Sequence, residues 1–414
     1  MGKPDEIVVI GAGVIGISIG LELVRAGYPV RVLDREGLAA GASLGNAGAF
    51  AFTDIVPLAT PGIMRKAPKW LLDPLGPLSI PPRYALKIAP WMLRFWRASW
   101  KDRYEHSVEA QSKLMNLAKH ALERQISTTD GEHLIKRQGQ MQLFEGEKEF
   151  RDSLPMWDLR RAQGIRFDLL ESPGAIAEIQ PGIDGRFTHA GFTPDWINTV
   201  DPKTWVEHLA HCFMSLGGVI EHCDIQSLTH TADGVRLTHA TGEITAHKAI
   251  IAAGAWSHHL AKTLGDHIPL ETERGYNTTL PAGAFDIRTH LTFGGHGFVV
   301  SGINDGVRVG GAAELGGLTL PPNYKRSDIL LKKAARFLPG LNTEGGTQWM
   351  GFRPSTPDSL PVIGASPQAK NLIYAFGHGH LGLTQAAATS EIVAAMVQGK
   401  PTPIATDAYQ PTRF

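Results

Sequence analysis

Apolar positions fall into two rhythms along this chain. Residues 7–10 read Ile7-Val8-Val9-Ile10, an unbroken β-branched run of the kind that a strand buried on both faces requires. Glycines follow, then apolar residues at helical spacing to Ala26, where Gly27 and Pro29 break the pattern. A second apolar run at 30–33 ends in Asp34. The pattern predicts strand, helix, strand. Helical spacing returns at 107–126, through Leu114, Leu117, Ala118 and Leu122, and at 150–163, stopped by Gly164. A strand is expected at 139–144 and shorter elements at 176–181 and 190–192. Asp201-Pro202 reads as a cap and first-turn proline opening a helix to about residue 216. A strand at 219–222, a small antiparallel meander through 236–237 and 243–245, and an apolar strand at 248–253 follow. Residues 278–280, 290–293, 297–301 and 307–311 form short runs between Gly and Asp-Gly turns, as in a mostly antiparallel sheet. A helix at 327–337, capped by Ser327 or Asp328, a strand at 372–376 and an Ala-rich helix to 397 complete the chain. The fold class is α/β: a Rossmann-like βαβ domain with a second, α+β domain.

Two stretches break these rhythms. Residues 53–83 hold Pro57, Pro61, Pro68, Pro74, Pro77, Pro81 and Pro82, which exclude a long helix and predict an extended excursion over the surface. In 84–100, Trp91, Phe95 and Trp96 share a helical face with Ile88 and Met92, among Lys87, Arg94 and Arg97. Such a helix either lies on a membrane surface or packs its aromatics inward, and the second reading is favoured.

Composition narrows the function classes. At 414 residues the chain needs two or three domains. A formal net charge of zero gives no case for nucleic acid. Cys212 and Cys223 have no metal-ligand spacing and make no disulfide framework, so a reducing cytosol fits and no metal is expected. A first strand at residue 7 leaves no room for a signal peptide, and no run approaches the ~20 apolar residues of a membrane span. A cytoplasmic protein is expected, with peripheral membrane contact through 85–100 as the alternative.

The glycines carry the chemistry. Gly11 permits a tight turn, Gly13 lets a pyrophosphate approach the backbone, and Gly16 lets the helix lie close to the sheet. The helix N-terminus offers N–H groups and partial positive charge to phosphate. Asp34, about 20 residues on, suits the ribose hydroxyls. Residues 37–48, with Gly41-Ala42-Ser43-Leu44-Gly45-Asn46-Ala47-Gly48, form either a flexible surface loop or a second cofactor contact through the Ser43 hydroxyl and backbone N–H groups. Gly254-Ala255-Trp256-Ser257, after a strand, is either an ordinary strand-to-helix turn or a second place where backbone lies beside a ligand, and the first fingerprint favours the second. Gly377-His378-Gly379-His380-Leu381-Gly382-Leu383-Thr384 opens a helix and makes an anion site.

Taken with Gly351-Phe352-Arg353-Pro354-Ser355-Thr356-Pro357-Asp358, these motifs span nearly the whole chain. Together they resemble the FAD-dependent D-amino-acid oxidase superfamily, and most of all its bacterial D-amino-acid dehydrogenase branch, which includes D-proline and D-hydroxyproline dehydrogenases. Glu273-Arg274-Gly275-Tyr276 and Lys69-Trp70-Leu71-Leu72-Asp73-Pro74 look like that branch too. The resemblance implies an FAD domain from residues 1–80, 190–268 and 345–414, and a substrate domain from 81–189 and 269–344. It implies cofactor contacts from Gly11, Gly13, Val14, Ile15, Gly16, Asp34 and Arg35, from Ser43, Asn46, Ala47 and Gly48, and from Ile225, Ala253, Gly254 and Trp256. Gly351, Arg353 and the run Gly377, His378, Gly379, His380, Leu381, Gly382, Leu383 and Thr384 complete the set. Gly351 stands where the sarcosine-oxidase branch tethers its flavin to cysteine, so non-covalent FAD is expected.

Arg353 is implied as the anchor of the substrate carboxylate, a role that suits a planar guanidinium fork. Tyr276, His296 and His380 are the other catalytic candidates. The expected reaction is oxidative deamination of a D-amino or D-imino acid by hydride transfer from Cα to flavin N5. Electrons then pass to O₂ or a quinone, and the tryptophans of 85–100 favour a quinone. Competing readings are a sarcosine- or glycine-type amine oxidase and a flavoprotein electron-transfer subunit without turnover of its own.

Overall fold

The computed structural model describes residues 6–65, 78–232 and 234–414. Its first layer is a six-stranded sheet in the order Val219–His222, Val30–Asp34, Ile7–Ile10, Lys248–Ile251, Leu372–Phe376, Val362–Ala365. The first four neighbouring pairs are parallel and the last is antiparallel. Ile7–Ile10 is central and buried along its whole length, as its unbroken apolar run requires. Ile7 and Val9 face the helices Val14–Arg25, Pro202–Ser215 and Gly382–Val397. Val8 and Ile10 face the other way, onto a meander of Ile225–Thr231, Gly234–His239 and Gly242–Ala246. The Asp201 carboxylate accepts from the N–H groups of Lys203 (2.9 Å) and Thr204 (3.0 Å), the predicted cap.

The second layer is a nine-stranded sheet. Along its main path run Thr347–Ser355, Glu271–Leu280, Gly306–Leu315, Phe298–Ile303, His290–Phe293, Gln140–Glu145, Phe187–Thr193 and Asp168–Leu170, and Leu78–Ser79 pairs beside Gly306–Leu315. It is mostly antiparallel, as expected, with parallel pairs at Leu78–Ser79 and between His290–Phe293 and Gln140–Glu145. Two of its strands are longer than the apolar pattern predicts. Glu271–Leu280 and Gly306–Leu315 bury Arg274 and Glu314, which neutralise each other at 3.1 Å. Charge paired inside a sheet leaves no hydrophobic alternation to read.

The helix Lys325–Phe337 begins two residues before the expected caps. The Ser327 hydroxyl instead donates to the Tyr324 carbonyl, and Asp328 accepts from Gln348. The helix Ala85–Ala98 turns Ile88 and Trp91 inward beside Tyr84 and Leu315, with Trp91 stacked on Phe95 at 5.3 Å. The favoured inward packing therefore holds for those rings. Leu86, Leu93 and Trp96 nevertheless lie exposed, with Trp100 just beyond. Among the described residues no helix is long and apolar enough to cross a membrane. Much of the proline-rich excursion, and with it Lys69-Trp70-Leu71-Leu72-Asp73-Pro74, lies outside the described residues.

A Cβ at Gly16 would stand 1.8 Å from the Gly11 carbonyl oxygen, a backbone atom that cannot swing aside. Gly16→Ala is therefore expected to destabilise the fold by about 3 kcal/mol, the upper range for overpacking, read as a lowered denaturant midpoint.

Candidate active site

A cavity of about 730 Å³ lies between the two sheets, at the carboxyl ends of the parallel strands. Ligands of open α/β sheets bind there because the loops leaving the strands splay apart. Ile10, Asp34, Cys223, Ala252 and Phe376 bring five strand ends to its rim.

The opening turn is built by close backbone packing. Gly11 has φ +116° and donates to the Leu33 carbonyl at 2.7 Å, and a Cβ there would meet the Ala252 oxygen at 2.3 Å. Gly13 starts the helix without a side-chain cap, and no acidic residue occupies the first turn. The Ser43 hydroxyl accepts from Val14 N–H at 2.9 Å, so the loop 37–48 is pinned to the helix start rather than free. That hydroxyl retains its own proton to donate. Asp34 braces the turn: one carboxylate oxygen accepts from Ala12 N–H at 2.8 Å, the other from the N–H groups of Glu36 and Gly37. A carboxylate has about four acceptor positions, so one remains for a hydroxyl.

The next stretch of wall is flat and aromatic. The Arg35 guanidinium lies 3.7 Å over the Trp256 ring, which meets Phe352 edge-on at 5.3 Å. Trp349 seals two glycines at once: a Cβ at Gly45 would come within 2.5 Å of its indole and one at Gly351 within 2.0 Å. The position of the cysteine tether is thus closed by an indole. Loop 37–48 is also held from the second sheet, where Asn277 donates to the Gly45 carbonyl at 2.7 Å and Arg308 to that of Asn46 at 2.6 Å.

The opposite wall carries the polar side chains. Arg353 projects from Thr347–Ser355 across Gly275, where a Cβ would strike its guanidinium at 2.4 Å. Its Nη1 donates to the Ala312 carbonyl at 3.0 Å. Its other N–H groups have no hydrogen-bond partner among the described residues, and the side chain lines the cavity. Burial pulls its pKa below the ordinary arginine value, and Glu273 opposes this. The 377–384 loop is joined to the same strand, with Gly379 N–H on the Pro354 carbonyl at 2.7 Å.

Most of the expected cofactor residues line this one cavity: Gly11, Gly13, Val14, Ile15, Asp34, Arg35, Ser43, Asn46, Ala47, Ile225, Ala253, Gly254, Trp256, Gly351, Arg353, Gly377, His378, Gly379, His380, Gly382 and Leu383. Gly16, Gly48, Leu381 and Thr384 sit behind it. Gly48 packs on Thr199 and Ile303, and the Thr384 hydroxyl accepts from Ala51 N–H at 2.9 Å.

Two catalytic candidates are placed otherwise than expected. His296 lies outside the cavity, 3.1 Å from Glu145 and against Phe337. Tyr276 is among the residues that line the cavity, but its hydroxyl points into the protein. It donates to Glu314 at 2.5 Å and accepts from Asn323 N–H, and burial pushes its pKa up to about 12. Tyr276 thus completes the buried Arg274–Glu314 pair. His378 is buried against Thr389 at 3.0 Å, and burial lowers its pKa to about 3. His380 faces the cavity, 3.6 Å from Asp54.

Sequence reasoning missed Asp54, Gln140, Gln142, Arg160 and His290, which share the cavity wall with His380. One signal was available. Phe150, Trp157 and Arg160 fall on one face of Gly146–Ala162, which puts a guanidinium where a core residue belongs.

The residues fit FAD. A helix start offering backbone N–H groups and the Ser43 hydroxyl meets a pyrophosphate, a braced acid meets a ribose, and a long cavity with an aromatic wall meets the rings. Ser43→Ala removes one partner at the helix start and is expected to weaken FAD binding about fivefold, for a hydrogen bond of ~1 kcal/mol, measured by flavin fluorescence on dilution. His290, pulled to about 4 by burial against the opposing charge of Asp54, and His378, at about 3, are neutral in the fold and protonate near pH 6.5 once unfolded. Stability is thus expected to be full above pH 7 and to fall from pH 6.5 toward 4, and urea midpoints across that range measure it.

Comparison with known proteins agrees with this geometry. The FAD dependent oxidoreductase family model matches residues 6–396. The chain is 33% identical to a D-amino-acid oxidase of Bradyrhizobium diazoefficiens, over all of both chains. It is 31% identical to a D-amino acid dehydrogenase of Paramagnetospirillum magneticum, over 99% of each. Among solved structures, glycine oxidase from Geobacillus kaustophilus superposes with TM-score 0.79 at 20% identity, over 99% of this chain and 98% of that one. The chain belongs to the FAD dependent oxidoreductase family, as a relative of bacterial D-amino-acid dehydrogenases, and FAD is its non-covalently held cofactor.

Proposed function

We propose that this enzyme oxidises D-amino or D-imino acids, with the substrate carboxylate held by Arg353. The supporting observation is a guanidinium with open donors in the wall of the FAD cavity, laid flat on Gly275 and fixed by the Ala312 carbonyl. A fork so fixed pairs with a carboxylate without first having to be ordered. The names of the relatives, D-amino-acid oxidase and D-amino acid dehydrogenase, support the same substrate class. When bound, FAD supplies the two-electron acceptor for the Cα–H bond. Arg353 sets which bond is presented, and Gly275 leaves room for that pose. The amine must be neutral to release hydride. The resulting imine takes up water and yields a 2-oxo acid and ammonia, or leaves as a cyclic imine when the substrate is an imino acid.

For the acceptor we propose a membrane quinone. Leu86, Leu93, Trp96 and Trp100 form an exposed apolar stripe, and Arg83, Lys87 and Arg94 are exposed around it. Apolar residues rimmed by cations suit an anionic lipid surface.

Three outcomes test these readings. Anaerobic mixing with D-amino acids is expected to bleach the flavin, and Arg353→Leu to raise KM on the order of a hundredfold, the cost of losing a buried charge-assisted pair. An unchanged KM would remove Arg353 from the role. The rate of reduction is expected to rise with pH through the amine's pKa and then level off. His290 and His378, already neutral above pH 6, add no second limb. Leu93→Glu with Trp96→Glu is expected to abolish co-flotation with phosphatidylglycerol vesicles while anaerobic dye reduction stays intact, and equal flotation would remove the membrane reading.

A further inference from the structure

The cavity has a second polar pole that the carboxylate anchor does not use. Asp54 leaves the loop after Ala49–Phe50, Arg160 comes from Gly146–Ala162, and His380 from the glycine-rich loop before the last helix. Asp54 stands 3.6 Å from Arg160 Nη2 and 3.6 Å from His380 Nε2, close enough to attract but too far for a good hydrogen bond. Arg160 is 5% exposed and lies 4.5 Å over the Trp157 ring, yet its other polar contacts are a 3.2 Å bond to the Thr53 carbonyl and a 3.5 Å contact to Gln142. A guanidinium has five donors, so this one is buried at the cavity wall with capacity to spare. His290 and Gln142 complete the rim from two neighbouring strands of the second sheet.

This pole begins beside the Arg353 strand, where Gly379, next to His380, donates to the Pro354 carbonyl, and runs away from it along the second sheet. Arg353 is held by a carbonyl of Gly306–Leu315, and Gln142 lies three strands further along the sheet, ~14 Å at the usual spacing. A substrate anchored by its α-carboxylate would therefore meet the pole with the end of its side chain. Asp54 and Arg160 carry opposite charges that sum to zero. Burial alone would raise the Asp54 carboxyl, but the nearby basic groups His380, Arg160 and His290 together hold it below the usual range. An acidic side chain would be repelled by Asp54 and a basic one by Arg160. An aliphatic end would leave both undersatisfied, which costs far more than it gains. A neutral group that accepts on one side and donates on the other answers both.

Resting on the assignment of Arg353 above, we propose that Asp54 and Arg160, with His380, form a side-chain subsite selecting amino acids that end in a carboxamide or similar neutral donor–acceptor group.

The test is anaerobic flavin reduction of the holoenzyme by isosteric sets: D-asparagine, D-aspartate and D-leucine; D-glutamine, D-glutamate and D-methionine; with D-alanine, too short to reach the pole, as reference. The amide is expected to exceed both isosteres in its set at least tenfold in limiting rate over Kd. Asp54→Asn and Arg160→Met, checked for FAD content and Tm, are expected to bring that ratio within threefold, and Arg160→Lys to retain part of it. Amides within twofold of both isosteres in the wild type would overturn the subsite, whatever the variants do. If D-alanine bleaches the flavin while amides show no advantage, the subsite fails alone. If no amino acid bleaches it, the assigned reaction fails, and Kd values from the perturbed spectrum of oxidised flavin decide the subsite separately.

Discussion

Backbone contact at Gly11 is the constraint on which the rest of the site depends. Three chain segments meet there without side chains between them: the turn itself, the start of the first helix at Gly16 and the strand end at Ala252. Only that closeness lets the helix point its free N–H groups into the space between the sheets. Ser43 and Asp34 then lock the arrangement by bonding to backbone on either side of the turn. The second sheet adds its own hold on loop 37–48 through Asn277 and Arg308. The cofactor site is thus a joint between two layers, and neither layer makes it alone.

What was legible in the sequence follows from what each feature asks of it. The turn at Gly11, the cap at Asp201 and the strand Ile7–Ile10 are local demands, met by residues adjacent in the chain, and they were read correctly. The lengths of Glu271–Leu280 and Gly306–Leu315 were hidden because Arg274, Glu314 and Tyr276 satisfy one another across strands. Their polarity looks like surface until the partners are known. The same network explains why the Tyr276 hydroxyl is turned away from the cavity, and the pairing with Glu145 why His296 lies outside it.

The polar pole was the least legible part. Asp54, Arg160 and His290 come from three separate elements and sit in no motif, and only His380 was marked, by the glycine-rich loop. Their meaning arises only when folding places them around one space. Arg353 stands between these cases. Its motif marked it, but only the fold shows that Gly275 clears the surface on which it lies.

Trp349 carries a consequence for the life of the protein. Because its indole fills the space beside Gly351, attachment of the cofactor rests on reversible contacts, so occupancy follows the free concentration of FAD. Ligand that binds only the native state adds stability logarithmically with its concentration. Starved of FAD, the chain would spend more time open between its two layers and be cleared by proteases, so its abundance would track flavin supply rather than transcription alone.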